Sequence, residues 1–478
     1  MLDEAEPMEE PPRAAAAPAR TLVVTLPYQG DAAATLGLAA YSYAHVYEAF
    51  RPLFERCGQV VALTHAESRL DYALQRAAAG GRAVAHLAFL PPHRLYVSAR
   101  AANVAFPLWE FPDLPDDDFD DNPRNNWVRV ANALSAIVCT SAFTRDAFVR
   151  AGVRAPVYVV PIPIAAPYFS LPPWRPGART RLETPAHVFP AAGTPAPRQQ
   201  GSLVRLAGRA RGVFDRAVQP RLSPWLDRRF GEVGRAARQI WLARPSPLPP
   251  PDAGVELSGV VFTALVNPSD ERKNWRDLIS AYLVALRDVE DATLVVKLVV
   301  SPSLCAIELR TMLAHYHALG LTHRCRLVFL PAYLSDDQVL QLTAASTFAL
   351  SATRAEGACL PVRDFLAAGR PAVAPRHSAL VDYLDDEVGF VVASHPEPTY
   401  WPHDPGRHLK TTWHRLVWQS LHDQIRASYR LATDDPEGYA RLAARGRERM
   451  RDHASAPRVL PRLRAVFEGL DHAGAAVR

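Results

Sequence analysis

The chain has 478 residues, of which 49% are hydrophobic and 22% charged, and its formal net charge is +5. This length exceeds one ordinary hydrophobic core and fits two domains with appended segments. It contains no run of eighteen apolar residues, and its acidic start lacks the layout of a signal peptide, so we expect a cytoplasmic protein. The five cysteines show no metal-ligand spacing, and we expect reduced thiols.

The first predicted elements are a disordered tail over 1–20 and an α/β domain over 21–170. A strand pattern at 21–26 leads to Gly30, which is either a glycine beside a phosphate or an ordinary turn glycine. Apolar runs then alternate with helical stretches, a rhythm typical of a parallel sheet. These runs are 60–63, 84–87, 136–139 and 157–160.

An acidic loop at 116–121 has the composition of an Asp-x-Asp metal site, but no strand directly precedes it. Runs of like charge are usually exposed, so a solvated loop is the favoured interpretation. His45 and His86 are possible contributors to a site in the first domain. Each of them is more often a packed or surface histidine.

A basic, proline-flanked insertion is predicted over 171–254. It holds fourteen arginines, no lysine and five acidic residues. Within 201–244, apolar residues recur at helical spacing and the arginines lie mostly off that face. Basic amphipathic helices are typical of an anionic membrane surface. Helices that only pack on the protein are the alternative, and nucleic acid is not expected because no reading motif occurs.

The second domain, predicted over 255–400, begins with an apolar strand pattern that ends at Val266. The next loop carries Arg272 and Lys273, and a helical pattern follows. Two cations in a loop at the carboxyl end of a strand can bind a phosphorylated ligand, arginine as a bidentate donor and lysine as a point charge. The alternative is a pair of solvated loop cations.

The most informative segment is Glu356-Gly-Ala-Cys-Leu-Pro-Val-Arg-Asp364. It lies between a strand-like run and the helix stop Gly369-Arg-Pro371, and its proline suits the first position of a helix. Strand, loop and helix in this order form a phosphate site, because the N–H groups and dipole of a helix N-terminus attract anions. The two flanking carboxylates must then bind hydroxyls. The predicted donor contacts of the loop are Gly357, Ala358, Cys359 and Leu360.

These segments resemble the GT-B glycosyltransferases of family 4, bacterial enzymes that use nucleotide sugars and whose hallmark is a glutamate, seven residues and a second acid. The resemblance extends to the first domain through 106–112, 140–143 and 160–163. It implies that Arg272 and Lys273 stabilise the leaving diphosphate.

The same resemblance implies that Glu356 orients the donor sugar and that Asp364 binds ribose. Asp364 is one methylene shorter than the usual glutamate, and Cys359 stands where the family often has glycine. Glu110 and His86 are the candidate residues on the acceptor side. His377, in the loop after 372–374, is a possible donor contact or an exposed loop histidine.

The predicted fold is therefore α/β, with two Rossmann-like, doubly wound parallel-sheet domains facing a cleft, and with helices over 401–478 that brace the first domain. The resemblance implies transfer, with retention, of a sugar from a nucleotide diphosphate sugar to a glycan or lipid-linked acceptor, as in cell-surface polysaccharide or glycolipid synthesis. It implies no metal and no cofactor, because the helix dipole and basic side chains neutralise the diphosphate. A nucleotide-sugar epimerase of the same fold and a non-catalytic membrane adaptor are the alternatives.

Overall fold

The computed structural model describes residues 20–27, 36–64, 66–190, 248–402, 404 and 406–476. The first domain is built on a six-stranded parallel sheet with the order β2-β1-β3-β4-β5-β6. Its strands are β1 (Arg20–Thr25), β2 (Gln59–Leu63), β3 (Ala83–Ala88), β4 (Ala102–Ala105), β5 (Ala136–Cys139) and β6 (Val157–Val159). The predicted tail, except for Arg20, lies outside the described residues, as does Gly30.

Helices cover both faces of this sheet, which is why strand β1 is buried along its length. Leu22 and Val24 pack on one side with a cluster of phenylalanines, whereas Val23 packs on the other side. The phenylalanine rings of Phe89 and Phe106 stack with centroids 4.4 Å apart. The helices of this domain are Ala39–Glu55, Ala66–Ala78, Trp127–Asn132, Ala142–Arg150 and Ala166–Phe169.

The second domain is built on a seven-stranded sheet with the order β15-β14-β13-β10-β11-β12-β8. All neighbouring pairs are parallel except β12 with β8, which is antiparallel and forms one edge. The strands, with the outlying pair β7 and β9, are β7 (Arg179–Leu182), β8 (His187–Phe189), β9 (Val255–Ser258), β10 (Val260–Val266), β11 (Ala292–Leu298), β12 (Arg326–Leu330), β13 (Phe348–Leu350), β14 (Ala372–Pro375) and β15 (Gly389–Val392).

In the described part of the chain, six helices pack on or beside this sheet. Each of the first four follows a strand of the sheet after a loop. The carboxyl ends of β10, β11, β12 and β13 therefore all carry a loop followed by a helix N-terminus. Within the described residues, no helix has the length and apolar content that a membrane crossing requires. The helices are Trp275–Ala285, Pro302–Leu319, Asp336–Ala345, Leu360–Ala367, Trp418–Asp434 and Pro436–Ala454.

The insertion differs from the prediction at its ends. Strands β7 and β8 belong to the second domain, since β7 pairs with β9 and β8 pairs with β12. Ala186 and Asp252 exchange backbone hydrogen bonds of 3.0 and 2.8 Å, so these two flanking segments lie side by side. The arginine-rich residues 191–247 lie outside the described residues. The strand that precedes them, β8, forms an edge of the second sheet.

The C-terminal region also differs from a purely helical prediction. Strands β16 (Ser394–Tyr400) and β17 (Lys410–Leu416) form an antiparallel pair before the helices begin. The last helix, Ala456–Ala476, packs its apolar face against the core of the first domain through Leu463 and Val466. The guanidinium of Arg20, at the start of β1, donates to the carboxylate of Asp471 at 2.5 Å. The C-terminus therefore returns from the second domain to the first.

Candidate functional site

The two loops singled out in the sequence lie together at one sheet edge. Strands β10 and β13 are parallel neighbours, with Phe262 opposite Phe348 and Thr263 opposite Ala349. Their carboxyl ends, and the loops 267–274 and 351–359 that follow, are therefore adjacent. In an open α/β sheet this edge is where ligands bind.

Lys273 and Glu356 form the shortest charged contact of the site. The ammonium Nζ donates to Glu356 Oε1 at 2.5 Å, and the side chains are 22% and 8% exposed. Burial lowers the pKa of Lys273, but the attraction of the Glu356 carboxylate, together with smaller effects of Asp270 and Cys359, raises it by more, so the pKa lies above the ordinary lysine value. The lysine therefore stays charged at neutral pH.

Arg272 contacts groups of both domains within this cluster. Its guanidinium donates to the carboxylate of Asp270 at 2.7 Å and to the carbonyl of Ala355 at 2.6 Å. Its Nε is 3.1 Å from Oε1 of Glu110, which belongs to the first domain. Burial lowers the pKa of Arg272, but Asp270 and Glu110 raise it by a larger amount. Arg272 thus joins the two domains at the cleft.

Glu356 is fixed by further hydrogen bonds besides that of Lys273. The hydroxyl of Thr353 donates to Oε1 at 2.9 Å, and the Glu356 N–H donates to the hydroxyl of Ser378 at 2.9 Å. Ser378 has a φ of 47°, an uncommon backbone conformation for a residue with a side chain. A conformation of this kind persists only where its surroundings enforce it, which is typical of functional sites.

His377 lies behind Glu356 and is buried, so it is not an exposed loop histidine. Its ring stacks on His414 with centroids 4.2 Å apart, and its Nε2 is 3.2 Å from the carbonyl of Thr353. Burial and the neighbouring His414 lower the pKa of His377 to about 3. The ring is therefore neutral, and its contacts favour support of the 353–356 loop. Its contact with a donor stays a prediction.

The loop after Glu356 contains the predicted donor contacts and ends in a helix N-terminus. Cys359 precedes helix 360–367 with a φ of 52°, and no side chain caps the helix. The N-terminal N–H groups of a helix without a side-chain cap can bind an anion. Burial raises the pKa of the Cys359 thiol to about 12, so this thiol is protonated.

Gly357 is required here by a close approach between the domains. A Cβ atom on Gly357 would lie 2.9 Å from the carbonyl oxygen of Trp109 in the first domain. The hydroxyl of Thr140, also in the first domain, donates to the Gly357 carbonyl at 2.9 Å. The glycine, predicted to allow a ligand close to the backbone, thus allows the first domain close to the backbone. Contacts of a donor with Gly357, Ala358, Cys359 and Leu360 stay predictions.

Asp364 lies on the second turn of helix 360–367, with its side chain 19% exposed. Burial raises the pKa of its carboxyl, opposed by Arg363 and by His45 from the first domain. The guanidinium of Arg363 is 3.4 Å from Oδ1 of Asp364. This arrangement leaves the carboxylate able to accept hydrogen bonds from hydroxyl groups of a ligand. The predicted role in ribose binding is compatible with the position but is not tested by it.

His86 does not join this cluster. Its ring is buried on β3, with Nε2 2.9 Å from the hydroxyl of Thr25 and Nδ1 2.9 Å from the side-chain oxygen of Asn103. Burial lowers its pKa, so the ring is neutral. Because both nitrogens have partners on neighbouring strands, the contacts favour the packed-histidine alternative. Its contact with an acceptor stays a prediction, whereas Glu110 does lie at the cleft.

The acidic loop at 116–121 is mostly exposed, and Asp118 pairs with Arg129 at 2.8 Å. Among the described residues, no group of three or more histidine, cysteine, aspartate or glutamate side chains has an arrangement that could hold a metal ion. The exposure of the loop and its pair with Arg129 are compatible with the solvated alternative, and a reaction without a metal stays a prediction.

Three site residues were missed in the sequence, namely Asp270, Thr353 and Ser378. Asp270 had a local signal, because Asn, Pro, Ser and Asp in succession are typical of a turn that precedes a short helix. Its side chain indeed accepts from the N–H of Arg272 at 3.1 Å. Thr353 and Ser378 gave no such signal, since their roles depend on contacts with the side chain and the backbone of Glu356.

Comparison with known proteins finds similarity in structure and none in sequence. No protein-family model matches the chain, and no curated protein matches it. Sucrose-phosphate synthase from Thermosynechococcus elongatus matches with a TM-score of 0.50 and 13% identity, covering 95% of this chain and 99% of that one. A glycosyltransferase from Rickettsia africae matches with a TM-score of 0.50 and 10% identity, covering 94% and 98%.

A third similar structure is S. aureus TarM, in complex with fondaparinux, α-GlcNAc-glycerol and UDP. Its TM-score is 0.45 and its identity 9%, with coverage of 80% of this chain and 55% of TarM, so the chain spans about half the length of that protein. At such identities, the matches over nearly the whole chain show the fold alone. The chain has the predicted GT-B fold, in which two Rossmann-like domains face a cleft.

Proposed function

We propose that this protein is a glycosyltransferase of the family 4 type, which moves a sugar from a nucleotide diphosphate sugar to an acceptor. The observation that carries the proposal is the cluster of Arg272, Lys273 and Glu356 beside the N-terminus of helix 360–367. Two cations and a helix dipole suit a diphosphate, and buried carboxylates suit the hydroxyls of a sugar and a ribose. The GT-B fold supplies a cleft at this position.

In the proposed mechanism the diphosphate lies against the helix N-terminus and the two cations. When the bond between the anomeric carbon and the phosphate oxygen breaks, its electron pair stays on the diphosphate. The acceptor hydroxyl oxygen then bonds to the anomeric carbon, and its proton passes to the departing diphosphate oxygen. Arg272 and Lys273 stabilise the charge that the diphosphate gains. This interaction is stronger in the transition state than in the ground state, so it raises the catalytic constant.

The two acidic residues have different roles in this proposal. Glu356 is held in one orientation by Lys273 and Thr353, and this preorganisation suits a carboxylate that orients the donor sugar. Asp364, on the second turn of helix 360–367, accepts hydrogen bonds from the ribose hydroxyls. Glu110 faces Arg272 from the first domain, and this position supports our proposal that it contacts the acceptor.

The finer parts of the proposal concern the acceptor and the membrane. We propose a glycan or lipid-linked acceptor, retention of configuration, a role in surface polysaccharide or glycolipid synthesis, and no metal or cofactor. The arginine-rich segment 201–244 would hold the enzyme on the anionic cytoplasmic face of a membrane. Its attachment supports this, because β8 lies at the edge of the second sheet, three strand positions from β10, and so away from the site.

The test is a panel of nucleotide sugars, with and without glycan and lipid-linked acceptors, in which release of the nucleoside diphosphate and the glycosylated product are both measured. We expect turnover with one donor class, loss of at least about 100-fold in the Arg272→Ala, Lys273→Ala double variant, and no loss in Arg69→Ala, an exposed arginine of the first domain. Turnover should persist in EDTA.

Three outcomes would overturn the proposal. Binding of a nucleotide sugar without any turnover would favour the adaptor. Conversion of one nucleotide sugar into its epimer without an acceptor would favour the epimerase. Inhibition by EDTA that a divalent cation reverses would contradict the metal-free mechanism and return attention to the loop at 116–121.

A further inference from the structure

We propose that Glu110 competes with the donor diphosphate for Arg272, so that the donor binds only when the two domains move apart and withdraw this carboxylate. Glu110 would then set the donor affinity and hold the empty cleft closed. This inference rests on the proposed function, because it concerns the same anion site. It adds a carboxylate from the opposite domain to the residues that determine how that site is filled.

The first observation is the ion pair itself. Oε1 of Glu110 is 3.1 Å from Nε of Arg272, and the two side chains are 14% and 12% exposed. Because solvent hardly reaches this ion pair, salt screens it weakly. Removing one partner is costly, since the other charge is then left buried and unpaired. It is also a contact between domains, since Glu110 follows β4 and Arg272 follows β10.

The second observation is the charge of the site. The cations Arg272 and Lys273 are in contact with the carboxylates of Asp270, Glu110 and Glu356. Two positive charges against three negative charges leave an excess of one negative charge. A diphosphate is itself an anion, so this arrangement opposes the ligand that the two cations are proposed to bind.

The third observation is the small size of the cavity beside Lys273 and Glu356. This cavity has a volume of about 20 Å³, and its lining includes Ser351 and Cys359. That volume is enough for roughly one water molecule and not for a diphosphate. A diphosphate that enters this cavity to reach Lys273 must therefore displace protein groups.

Of the three carboxylates, Glu110 can be withdrawn with the least rearrangement. Asp270 accepts from Arg272 within its own loop, and Glu356 is held by Thr353 and Lys273 within the second domain. Glu110 is the one carboxylate of this group that comes from the first domain. A rigid movement of one domain away from the other would remove it and leave the contacts of Asp270 and Glu356 with the two cations intact. The same movement would break hydrogen bonds between the domains, such as that from Thr140 to the Gly357 carbonyl.

The surroundings of Glu110 favour such a rigid movement. The indole of Trp109 is buried and donates to the carbonyl of Asp113 at 3.0 Å, and the Trp109 carbonyl accepts from the hydroxyl of Thr144 at 2.8 Å. Phe111, on the other side, is fully buried. The segment 109–111 is thus anchored in the first domain, and the Glu110 carboxylate moves with that domain.

The experiment measures binding of UDP, GDP and ADP by calorimetry to the full chain and to Glu110→Gln, which keeps the size of the side chain and removes its charge. The nucleotide that the wild-type protein binds should bind about tenfold more tightly to the variant, because one opposing buried charge is gone. The matched control is Glu48→Gln, a surface glutamate of the first domain that pairs with Arg51. Its affinity should equal that of the wild type.

A second variant guards against a loss of folding. Glu110→Asp keeps the charge but draws the carboxylate back from Arg272 by one methylene, so it should give an intermediate increase in affinity. If the wild type binds a nucleotide and the folded variants bind it equally or more weakly, competition by Glu110 is refuted and the proposed function stands. If neither the wild type nor any variant binds a nucleoside diphosphate, the proposed function fails and this inference fails with it.

Discussion

Replacing Lys273 by methionine should lower the stability of the second domain because it leaves the buried Glu356 without its nearest cation. Nζ is 2.5 Å from Oε1, whereas the next cation, Arg272, is 4.0 Å from Oε2. Removing one partner of a buried pair costs about 3 to 5 kcal/mol. The remaining attraction of Arg272 and the bond from Thr353 set the expected loss near 3 kcal/mol, or roughly 6 to 12 °C in Tm for a domain of this size.

The complete experiment is a double-mutant cycle. Glu356→Gln alone leaves Lys273 buried without its carboxylate and should cost a similar amount. The double variant removes both charges, so its loss of stability should be below about 1 kcal/mol. Thermal unfolding of the four proteins at one pH measures these differences. When the same four proteins are assayed for donor turnover, all three variants should lose about 100-fold. The double variant regains stability, but it still lacks the charged groups that act on the donor.

Two results would refute this reasoning. If the stability losses of the single variants add in the double variant, the two side chains do not stabilise each other. If the double variant retains turnover near the wild-type level, the pair is outside the donor site. Glu48→Gln provides the control, because its pair with Arg51 is about half exposed and should contribute little to Tm.

Three further predictions concern charge and the insertion. Burial raises the pKa of Asp364, so its charged form is disfavoured in the folded protein. Asp364→Asn should therefore raise Tm at neutral pH, and a pH series of melts should show this gain vanishing near pH 4. The same variant should bind the donor more weakly. A stability gain that persisted unchanged below pH 4 would contradict this cause. Burial lowers the pKa of Lys297 to about 8. The stability of the wild type should therefore rise between pH 8 and the ordinary lysine pKa of about 10.4, where the folded protein has lost this proton and the unfolded chain has not. Lys297→Met should raise Tm at pH 7, and this gain should shrink across the same pH window. An equal gain at pH 7 and pH 10 would show that packing, and not charge, is responsible. Deleting 201–244 should abolish sedimentation with anionic liposomes at low salt. It should leave donor turnover in solution unchanged, because Ala186 and Asp252, on either side of the deletion, are bridged to each other at the edge of the second sheet. Retention of liposome binding would place the membrane contact elsewhere.

The parallel sheets could be predicted because their strands are buried on both faces. Runs such as 21–26 and 260–266 are predominantly apolar, so they can be recognised as buried strands without knowledge of their partners. The proximity of Lys273 and Glu356 was also predictable, since both follow strands in one parallel sheet. Their ion pair at 2.5 Å is more specific than the sequence allowed, because a spacing of 83 residues carries no information on side-chain contact.

The contacts between the domains could not be predicted. Gly357 lies in a loop whose sequence is typical of a ligand-binding loop, but its close neighbour is the Trp109 carbonyl of the first domain. This contact depends on how the two domains pack together. The pair of Glu110 and Arg272 depends on the same docking. The strand Lys410–Leu416 was missed because it belongs to an isolated antiparallel pair and not to a buried apolar run. Its partner, Ser394–Tyr400, contains two prolines and a glutamate, a composition typical of an edge strand.

The measurement that tests the central claim most directly is a crystal structure of the protein with the nucleoside diphosphate that it binds best. The account predicts the diphosphate within hydrogen-bonding distance of Arg272, Lys273 and the first N–H groups of helix 360–367, and the ribose hydroxyls on Asp364. A nucleotide bound away from this edge of the second sheet, with the contacts of Arg272 and Lys273 unchanged, would contradict it.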